Sequence, residues 1–146
     1  MPYPVLITVH LFAAVTFIGV VFFEVLFLES IRKKLPADIM GLLQQQISAR
    51  ARKIMPWVIA LLFMSGLGMA HQHIPHFKGL FDSSFGMLLS LKMLLAFSVL
   101  SHFITAMYLS SNGKMNCSRF KGIHLSVFCH QVVIIFLAKN MFYIQW

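Results

Sequence analysis

The stretch Ser90–Phe103, SLKMLLAFSVLSHF, decides the fold. It is apolar with no period-2 alternation, and the apolar character continues on both sides, from about residue 85 to about residue 109. That length suffices for a helix to cross a hydrocarbon core, which needs about 20 helical residues. Yet the stretch carries Lys92 and His102. A Lys at the bilayer centre costs about 2.5–3.5 kcal/mol on insertion scales, so a chain that keeps one there has a use for it.

The rest of the chain agrees with a membrane reading. Of its 146 residues, 59% are hydrophobic and 11% charged, and the mean hydropathy is +0.82. A soluble domain is nearer about 45–50% apolar and about 25% charged. Apolar segments at about 5–28, 54–72, 85–109 and 121–143 predict four spans. The missing alternation argues against a β-barrel. The expected fold is therefore all-α, a four-transmembrane-helix bundle forming a single integral membrane domain over 1–146.

Polar connections separate the spans. Residues 29–53, ESIRKKLPADIMGLLQQQISARARK, are broken by Pro36, and Asp38 is positioned to cap an amphipathic helix after it. Asp82 or Ser83 is expected to cap the third span. Asn-Gly at 112–113 marks a loop. No internal repeat stands out in the linear reading.

The first connection holds Arg32, Lys33, Lys34, Arg50, Arg52 and Lys53, the third Lys114, Arg119 and Lys121, and the second only Lys78. The positive-inside rule then places the first and third connections in the cytoplasm and both termini outside. The sequence MPYPV has no basic n-region, so the first span is expected to be retained rather than cleaved. The net charge of +8 sits where topology requires it, so nucleic acid is not the expected partner. Cys117 and Cys129 do not form a CxxC pair, and neither lies on the oxidising side.

Helical rise sorts the intramembrane polar groups into two layers. His10 lies ~7–8 Å and Lys92 ~10 Å below the outer edge, with His71, His73 and His76 at the outer rim. Similar depth predicts that His10 and Lys92 form one outer-layer site. His130 at ~20 Å, His102 at ~25 Å, and His124 and Glu24 at ~28 Å make the inner layer. On the first span His10, Ala14, Phe17, Val21, Glu24 and Leu28 recur at 3–4 spacing and form an inward stripe. Ser65, Gly66, Gly68 and Ala70, just before His71, permit close helix approach and leave space for a flat cofactor.

Each group also has a structural reading. Lys92 can snorkel to the interface, a lone membrane His can be a hydrogen-bonded packing residue, and His73 and His76 can be solvated loop residues. The set together points to haem. Neutral imidazoles on facing helices ligate iron axially, and a cation such as Lys92 suits a haem propionate. His102 with His130 is the expected axial pair, with His124 the competitor; His10 is a further iron candidate if a second haem is present. His10 and the outer histidines, with some of the ten Met residues, could instead hold copper.

The helices also resemble a known family. VHLFAAVTFIGVVFFEVLFLE resembles the first helix of the HemJ-type protoporphyrinogen oxidases, matching at His10 and Gly19. MPWVIALLFMSGLGMA resembles their second helix, with Pro56 and Gly66 or Gly68 in place. LSLKMLLAFSVLSHFITAMYL resembles the third, an LKLLL run followed about three turns later by His. CopD-like copper-resistance membrane proteins are similar in architecture. The resemblance implies a haem b-binding inner-membrane protein that oxidises protoporphyrinogen IX to protoporphyrin IX and passes electrons to quinone. It maps the family's functional positions onto His10, Lys92 and His102. His10 would then accept a proton and Lys92 hold a propionate; the chain's own residues add His71 and His130 as candidate cofactor-binding groups. The chain departs from the family at the end of the first helix, where Glu24 and Glu29 stand, and on the fourth helix, where His124 and His130 favour a bis-His b-type cytochrome, an electron carrier or a subunit of a larger complex or homo-oligomer. Copper handling is the third reading.

Overall fold

A computed structural model describes residues 2–73, 81 and 83–143. Among the described residues every regular element is helical. The order is α1 (Tyr3–Phe22), a π-helical turn (Phe23–Leu28), α2 (Glu29–Arg32), α3 (Ala37–His73), α4 (Ser84–Ser111) and α5 (Cys117–Asn140). The first three run on without a break, so four helices are long and apolar enough to cross a membrane: Tyr3–Arg32, Ala37–His73, Ser84–Ser111 and Cys117–Asn140. The expected all-α membrane fold is present. Phe12 (73% exposed), Trp57 and Met64 stand on outer helix faces, where lipid tails solvate them as the protein core would.

The ends follow from capping chemistry. The Ser83 side chain accepts the Gly86 N–H at 3.1 Å and starts α4; Asp82, the other expected cap, lies outside the described residues, as do His76 and Lys78. Asn116 accepts the Arg119 N–H at 2.8 Å and starts α5 at Cys117, four residues ahead of the expected boundary. Gly113, at φ 65°, ends the turn after α4 in the left-handed region that Asn-Gly foretells. Asp38 is a correction. It lies inside the first turn of α3 rather than capping a separate helix. There its carboxylate favours the positive end of the helix dipole. The amphipathic segment and the second span are one helix of 37 residues, roughly 55 Å long, against a hydrocarbon core of about 30 Å.

The chain divides into two units, Met1–Gly66 and Leu67–Trp146. In the first, His10 bonds to Leu62 and Arg32 to Gln44. These pairs fix α1 and α3 as antiparallel. The buried positions on the first span are Leu6, Ala13, Phe17, Val21, Glu24 and Leu28, so Phe17, Val21, Glu24 and Leu28 of the expected inward stripe are buried, while His10 and Ala14 are half-buried. The π-helical turn adds a residue where the stripe passes from Glu24 to Leu28 and keeps both buried. On α3, Met40, Met55, Ile59 and Ser65 are buried.

In the second unit α4 and α5 are also antiparallel. Ser98 pairs with His130, His102 with Ser126, and the Phe85 and Phe142 rings meet at 5.5 Å. Ala70, Leu89 and Met141 form a core cluster at one end, with Phe85, Leu88 and Met93 packed on it.

Candidate functional site: a reciprocal serine–histidine pair

A helix leaves the carbonyl of residue i−4 within reach of a His side chain, and α4 and α5 both use it. His102 Nδ1 donates to the Ser98 carbonyl at 2.7 Å, and His130 Nδ1 to the Ser126 carbonyl at 2.8 Å. A carbonyl only accepts, so each Nδ1 carries a proton and each neutral ring presents its Nε2 lone pair. Those lone pairs are met from the opposite helix. Ser126 donates its hydroxyl to His102 Nε2 at 3.0 Å, and Ser98 donates to His130 Nε2 at 3.1 Å. The two rings pack at 5.5 Å between centroids, tilted by 52°. All four side chains are half-buried.

The arrangement is symmetric because the sequence is. Ser98–His102 reads SVLSH and Ser126–His130 reads SVFCH. Laid over each other, the segments match Ser98 to Ser126, Val99 to Val127 and His102 to His130. The cross-helix bonds join each Ser to the other segment's His. A local twofold axis therefore crosses the helix pair beside Leu100 and Phe128, and Val99 and Val127 are both buried next to it. The linear reading found no repeat, since only three identical residues in five signal it. A search for Ser four residues before His would have found Ser98 and Ser126.

His10 occupies a different setting in the first unit. Its Nδ1 lies 3.0 Å from the Leu62 carbonyl and 3.2 Å from the Ser65 hydroxyl. Its ring rests on the Cα of Gly66, where an added Cβ would stand 3.1 Å from Cε1 and 3.4 Å from Nδ1. Gly66 is thus the residue that admits the ring. The small-residue expectation holds at this point, and the occupant of the space is His10 itself.

His124 Nδ1 bonds to the Phe120 carbonyl at 2.9 Å, and its ring stacks on Phe120 of its own helix at 4.0 Å. His71 and His73 are exposed; His73 bonds to the Met69 carbonyl and stacks on Phe85. Lys92 is half-buried on α4. It belongs to the second unit, whereas His10 belongs to the first. The second unit's one acidic residue in the sequence, Asp82, lies outside the described residues. Among the described residues no three His, Cys, Asp or Glu side chains gather into a metal-holding group.

Both rings hold the tautomer that a metal-ligating imidazole takes. Ligating imidazoles usually donate their second N–H to a carbonyl or carboxylate, which fixes the tautomer and raises basicity. His102 and His130 both do so. The serine hydroxyls hold the lone pairs that a metal would take. Compared with known proteins, the chain matches no family model, no curated sequence and no solved structure.

Proposed function

We propose that this chain is a haem b-binding redox protein of the membrane, with His102 and His130 as the residues that would hold the iron. The observation that supports it is the pair of imidazoles with Nδ1–H anchored on its own helix and Nε2 presented across the helix pair. Haem bound there supplies one-electron reduction and oxidation. If His102 and His130 both held the iron, a substrate would exchange electrons without binding it. That favours an electron-carrying b-type cytochrome. The resemblance to HemJ-type oxidases extends the reading to oxidation of protoporphyrinogen IX. In that form Lys92, an ammonium with no carboxylate among the described residues of its own unit, pairs with a propionate as a point charge, and His10 accepts a proton. The connection rich in Arg and Lys that ends at Lys53 faces the cytoplasm of a bacterial inner membrane, and both termini face the periplasm.

The test is spectroscopic. Protein purified from haem-replete cells shows a Soret band and a sharp reduced α-band. His102→Ala and His130→Ala each abolish or shift them. Lys92→Met keeps the inner haem spectrum and lowers oxidase activity. A colourless wild-type protein, or full haem retention with an unchanged spectrum in both His variants, rejects the proposal. Metal analysis showing copper without iron moves the same imidazoles to the copper reading.

A further inference from the structure

The local twofold makes one residue of the second unit stand out. Gln131 follows His130, and its symmetry mate on α4 is Phe103. Gln131 is only 3% exposed, and neither its Nε2 nor its Oε1 has a hydrogen-bond partner among the described residues. An amide buried without partners forfeits its hydration and destabilises the helix pair, and such groups call for a specific explanation. The local symmetry does not supply one. On the matching side of the axis stands Phe103, half-buried and with no polar atom, so the twofold itself does not call for an amide here.

We propose that Gln131 receives the undissociated carboxyl group of an apolar, membrane-dissolved ligand. A primary amide offers two donors on nitrogen and lone pairs on oxygen. A neutral carboxylic acid offers one O–H donor and a carbonyl acceptor on adjacent atoms. The acid O–H donates to Gln131 Oε1 while Gln131 Nε2–H donates to the acid carbonyl, so one group satisfies both orphaned atoms. An ionised carboxylate accepts from Nε2 but leaves Oε1 facing a negative charge. A low-dielectric surrounding favours the neutral acid. The ligand must reach α5 through the bilayer, so its body is apolar. Two sources share this chemistry: a free long-chain fatty acid, and a propionic acid arm of a porphyrin. The proposal does not depend on iron ligation by His102 and His130, and its test uses haem-free protein.

The experiment measures binding of dodecanoic acid and of protoporphyrin IX to haem-free full-length protein in uncharged detergent, each beside its methyl ester. The expected result is tighter binding of an acid than of its ester, by about 10-fold, because the ester keeps the carbonyl that accepts from Nε2 but loses the O–H and leaves Oε1 buried without a partner. Gln131→Leu erases that preference, whereas Gln131→Glu, which in its neutral form pairs with an acid through the same two hydrogen bonds, keeps it. Helix content by circular dichroism confirms that the variants fold. A preference for dodecanoic acid alone assigns the site to a lipid acid, and one for protoporphyrin alone assigns it to a porphyrin arm. Equal binding of both acids and their esters, or an acid preference that survives Gln131→Leu, overturns the proposal.

Discussion

Breaking the crossed bonds of the serine–histidine cluster one at a time tests whether side chains or backbone couple α4 to α5. Ser126→Ala removes the hydroxyl that lies 3.0 Å from His102 Nε2, and Ser98→Ala the one 3.1 Å from His130 Nε2. Interhelical hydrogen bonds inside membranes average about 0.6 kcal/mol and reach about 1.7 kcal/mol. The twofold predicts nearly equal costs for the two substitutions, each about 0.6 kcal/mol. A double-mutant cycle removes the background of repacking. Combined with His102→Phe, Ser126→Ala should show a coupling of about 0.6 kcal/mol. Ser98→Ala with the same His variant should show less than about 0.3 kcal/mol, because the tie between Ser98 and His102 runs through the backbone carbonyl, which alanine keeps. The mirror pattern, strong for Ser98 with His130 and weak for Ser126 with His130, should follow. Reversible unfolding in mixed detergent–dodecyl sulfate micelles, read by far-ultraviolet circular dichroism, provides the free energies. Equal coupling for crossed and uncrossed pairs would show that the reciprocal network is not what joins these helices.

Two further outcomes follow. Gly66→Leu should destabilise the first unit by about 1–3 kcal/mol, the usual cost of overpacking, because its Cβ would meet the His10 ring; Gly41→Ala, with nothing near its Cβ, should stabilise α3 by about 0.5–1 kcal/mol, and unfolding of the two variants in the same micelles compares them. Cys117, exposed at the start of α5, should react with a membrane-impermeant maleimide in inverted inner-membrane vesicles and stay protected in intact spheroplasts, and labelling in spheroplasts would reverse the proposed orientation.

The sequence by itself determined that this chain is helical and crosses a membrane four times. Apolar runs of helical length report directly on the bilayer, which demands about 20 residues and internal pairing of every backbone group, whatever the partners. It also determined most of the first-span stripe, because a 3.6-residue period repeats along one element and needs no knowledge of its neighbour. The depth estimate put His102 and His130 at neighbouring levels, and their rings lie 5.5 Å apart, for the same reason: rise per residue is a local constant. What lies opposite a residue is not local. Only the tertiary structure decided that His10 rests on Gly66, that Asp38 belongs within one 37-residue helix, and that His124 turns onto its own Phe120. The crossed bonds from Ser98 and Ser126 depend on the register of two antiparallel helices. That register is set by packing over the whole α4–α5 pair, and a shift of one turn, about 5.4 Å, would place other residues opposite each histidine.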